Sequence, residues 1–188
     1  MSKIEKIADH VRGIMIELGL DLRNDSLKDT PLRVAKMYVD ELFSGLDDRT
    51  FPKITVVENE FAYDEMLIEA GITCHSVCEH HLVPIVGRCH IAYIPQKKVL
   101  GLSKFNRIVD HFSRRPQVQE RLTRDILNSL KSILDTEDIA VVIDAEHYCV
   151  KLRGVKHDSA MTRTSALSGR FFRAEVRAEL FAALPSLR

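Results

Sequence analysis

Ile72-Thr73-Cys74-His75-Ser76-Val77-Cys78-Glu79-His80-His81-Leu82-Val83-Pro84-Ile85-Val86 decides how the chain folds. It reads as the end of one strand, a polar turn and the start of the next. Residues Leu67 to Val77 are rich in β-branched side chains. Val83 to Ile94 alternates loosely around Gly87 until Pro95 ends it, the pattern of paired antiparallel strands. The turn then holds Cys78-Glu79-His80-His81, four groups able to bind a metal or move a proton, where a rigid sheet commonly presents functional loops. Zinc takes thiolate and imidazole ligands tetrahedrally, and a C-x-x-H spacing on a turn lets two of them converge. A third ligand is available in Cys149, within His147-Tyr148-Cys149. Three protein ligands leave the fourth position to water, the arrangement of a catalytic rather than a structural zinc, so the pattern points to hydrolysis.

Outward from this pair, Ile54 to Phe61 predicts a preceding strand. On the N-terminal side, Ile4, Ile7, Val11, Ile14, Met15 and Leu18 recur at helical spacing as far as Gly19. Asp29-Thr30-Pro31 starts a second helix that carries Val34, Met37, Tyr38 and Leu42 towards Gly45. On the C-terminal side, Ser103 is a candidate cap for a helix with Phe105, Ile108, Val109 and Phe112 on one face. Arg115-Pro116 breaks that helix, and another follows with Val118, Leu122, Ile126, Leu130 and Ile133 inward, which keeps Glu120 off the core stripe. Ile139 to Ile143 is an apolar run expected to continue as a strand through His147 to Lys151, placing His147 and Cys149 on one face. Met161 to Leu167 predicts a further strand, and Phe171 to Leu184 a final helix before Pro185. The order is α+β, built on antiparallel sheet, with a helical extension over residues 1–50 and a catalytic unit over 51–188.

The chain has 188 residues, 45% hydrophobic and 29% charged, with formal net charge zero. Such balance offers no general attraction to nucleic acid or to an anionic membrane. No apolar run approaches membrane-spanning length, and the N-terminus lacks the apolar segment of a signal peptide. Its four cysteines, without secretory context, suit reduced thiols in a cytoplasmic protein. Basic residues are concentrated instead in two stretches, Lys97 to Arg115 and His147 to Arg173, suited to a polyanionic small molecule. Free N–H groups at the start of the Ser103-Lys104 helix favour phosphate. A closed site including Cys74 is disfavoured: four extended residues separate it from Cys78 by about 13 Å, whereas sulfurs on one zinc stand under roughly 5 Å apart. Residue types alone leave open which of His80 and His81 is a ligand.

Cys78-Glu79-His80-His81-Leu82-Val83-Pro84, Gly101-Leu102-Ser103-Lys104, Arg115-Pro116-Gln117-Val118-Gln119-Glu120 and His147-Tyr148-Cys149-Val150 occur in one order, and together they resemble GTP cyclohydrolase I. The resemblance runs from about Asp29-Thr30-Pro31 to Arg153-Gly154-Val155. It implies the tunnelling fold, an antiparallel sheet with paired helices on one face. Such units associate side by side into rings, and the rings stack into a homodecamer of two pentamers with sites shared between subunits. It assigns Cys78, His81 and Cys149 to Zn2+ and leaves His80 and His147 as proton-transfer groups. Glu120, with Gln119 beside it, would recognise the guanine of GTP. Ser103, Lys104, Arg107 and Arg153, with Arg33 from a neighbouring subunit, would hold the triphosphate. The implied reaction opens the guanine imidazole ring, releases formate and yields 7,8-dihydroneopterin triphosphate. Two rivals are a sister enzyme of pterin or deazapurine metabolism on the same fold, and a non-catalytic zinc module, which predicts a closed four-ligand site.

Overall fold

The computed structural model describes residues 1–186. Helix α1 (Lys3–Glu17) opens with a reciprocal capping box, the Ser2 hydroxyl accepting from the Glu5 N–H while Glu5 accepts from the Ser2 N–H. Helix α2 (Thr30–Lys36) has proline in its first turn, and its path continues as a wider π-helical stretch, Met37–Leu42, followed by two 3-10 turns. Strand β1 is only Val56–Glu58 and pairs with β4 (Lys98–Leu100), a strand the periodicity does not predict. The expected strand over Ile54 to Phe61 is thus shorter, and it forms a separate ribbon rather than part of the main sheet.

The main sheet has five strands, in the order β5 (Pro116–Gln117), β2 (Leu67–Cys78), β3 (Pro84–Tyr93), β6 (Ile139–His147) and β7 (Thr162–Leu167). Strands β2 (Leu67–Cys78) and β3 (Pro84–Tyr93) are the predicted antiparallel pair, with a bulge between Glu69 and Ile72 where Gly71 takes φ +76°. Positive φ costs glycine little, which lets the strand bend at that point. Strand β6 (Ile139–His147) pairs with β3 and with β7 (Thr162–Leu167). At Gly87 a Cβ would stand 2.1 Å from the Asp144 carbonyl oxygen and 2.6 Å from the Ala145 Cβ, so the β3–β6 approach requires glycine there.

Helices α3 (Leu102–Ser113) and α4 (Gln119–Leu134) cover one face of this sheet. Phe105, Ile108 and Val109 of α3 and Leu122, Ile126 and Leu130 of α4 join Ile72, Cys89, Ile91, Val141 and Ile143 in one core. Full burial of each large side chain contributes about 1.5–3 kcal/mol, which makes this two-layer contact the main source of the fold's stability. Alternate residues of the same strands, Ala92, Ile94, Ala140 and Val142, meet Phe171 and the helix α6 (Ala174–Ala183) on the opposite face. The fold is therefore α+β, with the helix pair on one face and the C-terminal helix closing part of the other.

Two further expectations give way. The α3 helix starts at Leu102 with Gly101 as its cap, so Ser103 lies inside the first turn and makes no capping bond. Strand β6 stops at His147, and Tyr148–Lys151 forms a helical turn, α5. The period-two argument that gave His147 and Cys149 one face does not hold across that turn.

Candidate metal centre and its surroundings

The Cys78 turn is closed by its own backbone. The Cys78 N–H donates to the Val83 carbonyl at 2.9 Å and the Leu82 N–H to the Cys78 carbonyl at 2.8 Å. Leu82 is held at φ +52°, a conformation uncommon for a side chain of that size and of the kind that accumulates at functional turns. A two-residue strand, β5 (Pro116–Gln117), runs parallel to the end of β2, pairing Val77 with Pro116 and Cys78 with Gln117. It carries the start of α4, with Gln119 and Glu120, to the same end of the sheet as the cysteine. On the other side β3 pairs Ile85 with His147, which brings in the end of β6 and the α5 turn.

The result is convergence. Ligand atoms of Cys78, His81 and Cys149 lie within 4.8 Å of one another, the one such group of histidine, cysteine and acidic side chains among the described residues. That spacing suits tetrahedral zinc, whose ligands stand under roughly 5 Å apart, and two sulfurs with one imidazole suit it chemically. Burial raises the Cys149 thiol above its ordinary pKa, and the adjacent Cys78 sulfur raises it further. A thiol whose ionisation is opposed by burial and a neighbouring sulfur becomes compatible as a thiolate when a cation lies beside it, so the residues present fit a zinc ion.

Cys74 is apart from this group. It is fully buried, its sulfur 3.5 Å from the Ser113 hydroxyl, and burial pushes its pKa up to about 11. The closed four-ligand alternative loses its fourth member accordingly.

His80 and His147 flank the cluster differently. His80 is exposed, with Nδ1 at 3.8 Å from the Cys78 sulfur and Nε2 at 3.8 Å from Glu79. Glu79 in turn is bound by Arg121 of α4, which holds its carboxyl below the usual range, and Arg121 donates to the Gln117 side chain at 2.9 Å. This Glu79–Arg121–Gln117 brace is absent from the sequence reading; the neighbouring letters Gln119-Glu120-Arg121 signal it only after β5 is known to pair with β2. His147 is half-buried, and its Nε2 is 2.7 Å from Gln119 Oε1. Burial lowers its pKa, and the nearby Glu120 carboxylate acts in the opposite sense.

The remaining predicted residues are distributed. Glu120 is exposed, in the first turn of α4. Gln119, beside it, is 1% exposed, with its amide directed into the interior. Arg153 follows α5 and donates to His81 Nε2 at 2.9 Å. Ser103, Lys104 and Arg107 lie in the first two turns of α3, where Arg107 borders a cavity of about 400 Å³ with Gly45, Thr50 and His111. Arg33 stands exposed on α2, 3.6 Å from Asp29.

Known proteins match this sequence along nearly the whole chain. The family model described as GTP cyclohydrolase I matches residues 7–184. The chain belongs to the GTP cyclohydrolase I family. It is 56% identical over 183 residues to the GTP cyclohydrolase 1 of Aeromonas hydrophila, covering 97% of this chain and 84% of that relative. Identity to the enzyme of the same name from Photobacterium profundum is 57% over 180 residues, covering 95% and 83% of the two chains. With the Vibrio cholerae GTP cyclohydrolase 1 it is 57% over 169 residues, covering 90% and 78%.

Proposed function

We propose that this chain is a zinc-dependent GTP cyclohydrolase I, which hydrolyses the imidazole ring of GTP, releases formate and forms 7,8-dihydroneopterin triphosphate. The observation that carries the reading is the meeting of Cys78, His81 and Cys149 within 4.8 Å, in a chain of this family. Zinc held by these three residues supplies Lewis acidity and activates water at neutral pH.

The chain's own residues divide the remaining work. Glu120 accepts hydrogen bonds from the N–H groups on guanine's Watson–Crick edge, for which adenine has no matching pair of donors. His147 or His80 donates a proton to the ring nitrogen as the C–N bond breaks, since a leaving nitrogen needs an acid within hydrogen-bond reach. The first two turns of α3, with Ser103, Lys104 and Arg107, present the positive end of the helix and cationic side chains to phosphate oxygens, and no side chain caps the helix start. Arg153 adds a planar fork for the same oxygens.

Arg33 completes the phosphate site of a neighbouring subunit in this reading; within its own chain it is exposed on α2, 3.6 Å from Asp29. The assembly proposed is a homodecamer of two stacked pentameric rings. Residues 1–50 serve as a helical extension and 51–188 as the catalytic unit. A reducing cytoplasm is the setting that keeps Cys78 and Cys149 available to metal. No described helix is long and apolar enough to cross a membrane.

Formate release measured with purified, zinc-loaded protein tests the proposal. GTP should yield formate and ATP should not, and Glu120→Ala should abolish turnover of GTP. Equal release from both nucleotides by the unaltered protein would contradict the role of Glu120, and release from neither would overturn the function.

A further inference from the structure

Gln119 is the first residue of α4, yet its carboxamide points into the interior. Its Nε2 is 2.9 Å from the Ile143 carbonyl oxygen, 3.0 Å from that of Thr162 and 3.1 Å from the Thr164 hydroxyl. Two of these neighbours are backbone carbonyls, which accept and never donate. The nitrogen end of the amide must therefore face them. Reversing the amide would set its oxygen against two carbonyl oxygens with no hydrogen between them.

The threonines orient themselves by the same rule. Thr123 Oγ1 is 2.7 Å from the Gln119 backbone carbonyl and 2.7 Å from Thr164 Oγ1. The carbonyl can only accept, so the single Thr123 hydrogen goes to it. Thr164 must then donate to Thr123, which leaves the Thr164 oxygen to receive the Gln119 amide. One consistent set of proton positions runs from β7 through α4 to Gln119.

At the other end of that amide, Gln119 Oε1 is 2.7 Å from His147 Nε2. A carbonyl oxygen accepts, so the hydrogen belongs to the imidazole. A flipped ring would present carbon to Oε1 and leave that oxygen without a donor. Nδ1 makes no hydrogen bond to any described residue.

We infer that Gln119 is a positioning residue that holds neutral His147 as the Nε2–H tautomer, so that Nδ1 is the nitrogen that first takes up a proton from the attacking water and then delivers it to the substrate's ring nitrogen. Thr123 and Thr164, which do not touch the imidazole, secure the choice from behind. The catalytic half of this inference rests on reading His147 as a proton-transfer group; the tautomer does not. Gln119 is thereby distinguished from Glu120, its neighbour, which reaches solvent. The tautomer also sets a direction of approach: the reacting ring nitrogen of the base must come to the Nδ1 side, because Nε2 is covered by Gln119.

The experiment is nitrogen-15 NMR of histidine-labelled, zinc-loaded protein at a pH where the ring is neutral, with the His147 signals identified by their loss in His147→Ala. Unaltered protein should show a protonated Nε2 and an unprotonated Nδ1. A proton on Nδ1 overturns the inference with no variant needed. Gln119→Met removes the acceptor and should produce a mixture of tautomers, and kcat for formate release should fall by on the order of 10²-fold or more with KM little changed. An unchanged tautomer in folded Gln119→Met refutes the assignment. Full activity of His147→Ala would overturn the catalytic half alone, whatever the spectrum of the unaltered protein.

Discussion

Replacing Cys149 and His147 separately should uncouple metal content from rate. Cys149 supplies one of three ligand atoms lying within 4.8 Å, and His147 is outside that group although only two residues away. Structural zinc sites with four ligands bind with about 10–16 kcal/mol, or roughly 2.5–4 kcal/mol per ligand. Exchange of a thiolate for a neutral hydroxyl in Cys149→Ser should then weaken zinc by on the order of 10²- to 10³-fold. The purified variant should contain little zinc and release no formate. His147→Ala leaves the three ligands in place and should keep its zinc. In the proposed mechanism it removes a proton donor, and general acids contribute about 10²- to 10⁴-fold, or about 3–5 kcal/mol of barrier. Metal analysis and formate release on the same preparations decide the matter. Stoichiometric zinc loss in His147→Ala would make it a ligand and refute the division of roles; zinc retained in Cys149→Ser would refute the ligand set.

Thiol reactivity should follow burial: in metal-free protein an alkylating reagent should modify Cys149 ahead of Cys74 and Cys89, since desolvation pushes the Cys74 pKa to about 11 and raises that of Cys89 too. Peptide mapping by mass spectrometry reads the order, and added zinc should protect Cys149. Mixed oligomers of Arg33→Ala and Cys149→Ser, each inactive alone, should regain partial activity because some interfaces then hold one intact site; inactivity in verified mixed assemblies would count against sharing. Asp138 is held by the Arg170 N–H at 2.7 Å and its guanidinium at 2.9 Å, and although burial opposes ionisation these bonds bring its pKa below the ordinary value. A depressed carboxyl contributes stability above its unfolded pKa and loses it as pH falls through the folded value, so Asp138→Asn should cost about 1–3 kcal/mol at neutral pH. The gap should narrow below about pH 4; urea unfolding at the two pH values measures it.

Much of the fold was legible because its parts announce themselves locally. The stripe of Phe105, Ile108 and Val109 on α3, and that of Leu122, Ile126 and Leu130 on α4, mark the faces that the sheet buries. The strands on either side of the Cys78 turn have β-branched composition and proline punctuation to define them. Strands β4 and β5 have neither. Pro116-Gln117 is two residues long and exists as a strand only through its parallel pairing with Val77 and Cys78, a contact between segments nearly forty positions apart. Ser103 resembled a cap because serine favours that position, but the chain turns at Gly101 and the serine falls inside the helix.

The site was legible in its chemistry and not in its geometry, and the end of β6 shows why. Tyr148 and Val150 are good strand residues, so alternation carried the predicted strand through Lys151. On a straight strand His147 and Cys149 would point the same way, and nothing in their spacing would tell ligand from proton donor. The chain turns helically at Tyr148 instead, keeping His147 on the last rung of the sheet opposite Ile85. From there its imidazole reaches the buried Gln119, while Cys149, one step into the turn, joins Cys78 and His81. Local propensity could not signal that turn, because it rests on packing against β3 and the end of β6. The separation of the residue that fits a metal from the residue that fits a proton donor is thus made by backbone direction, at the single point where the period of two breaks.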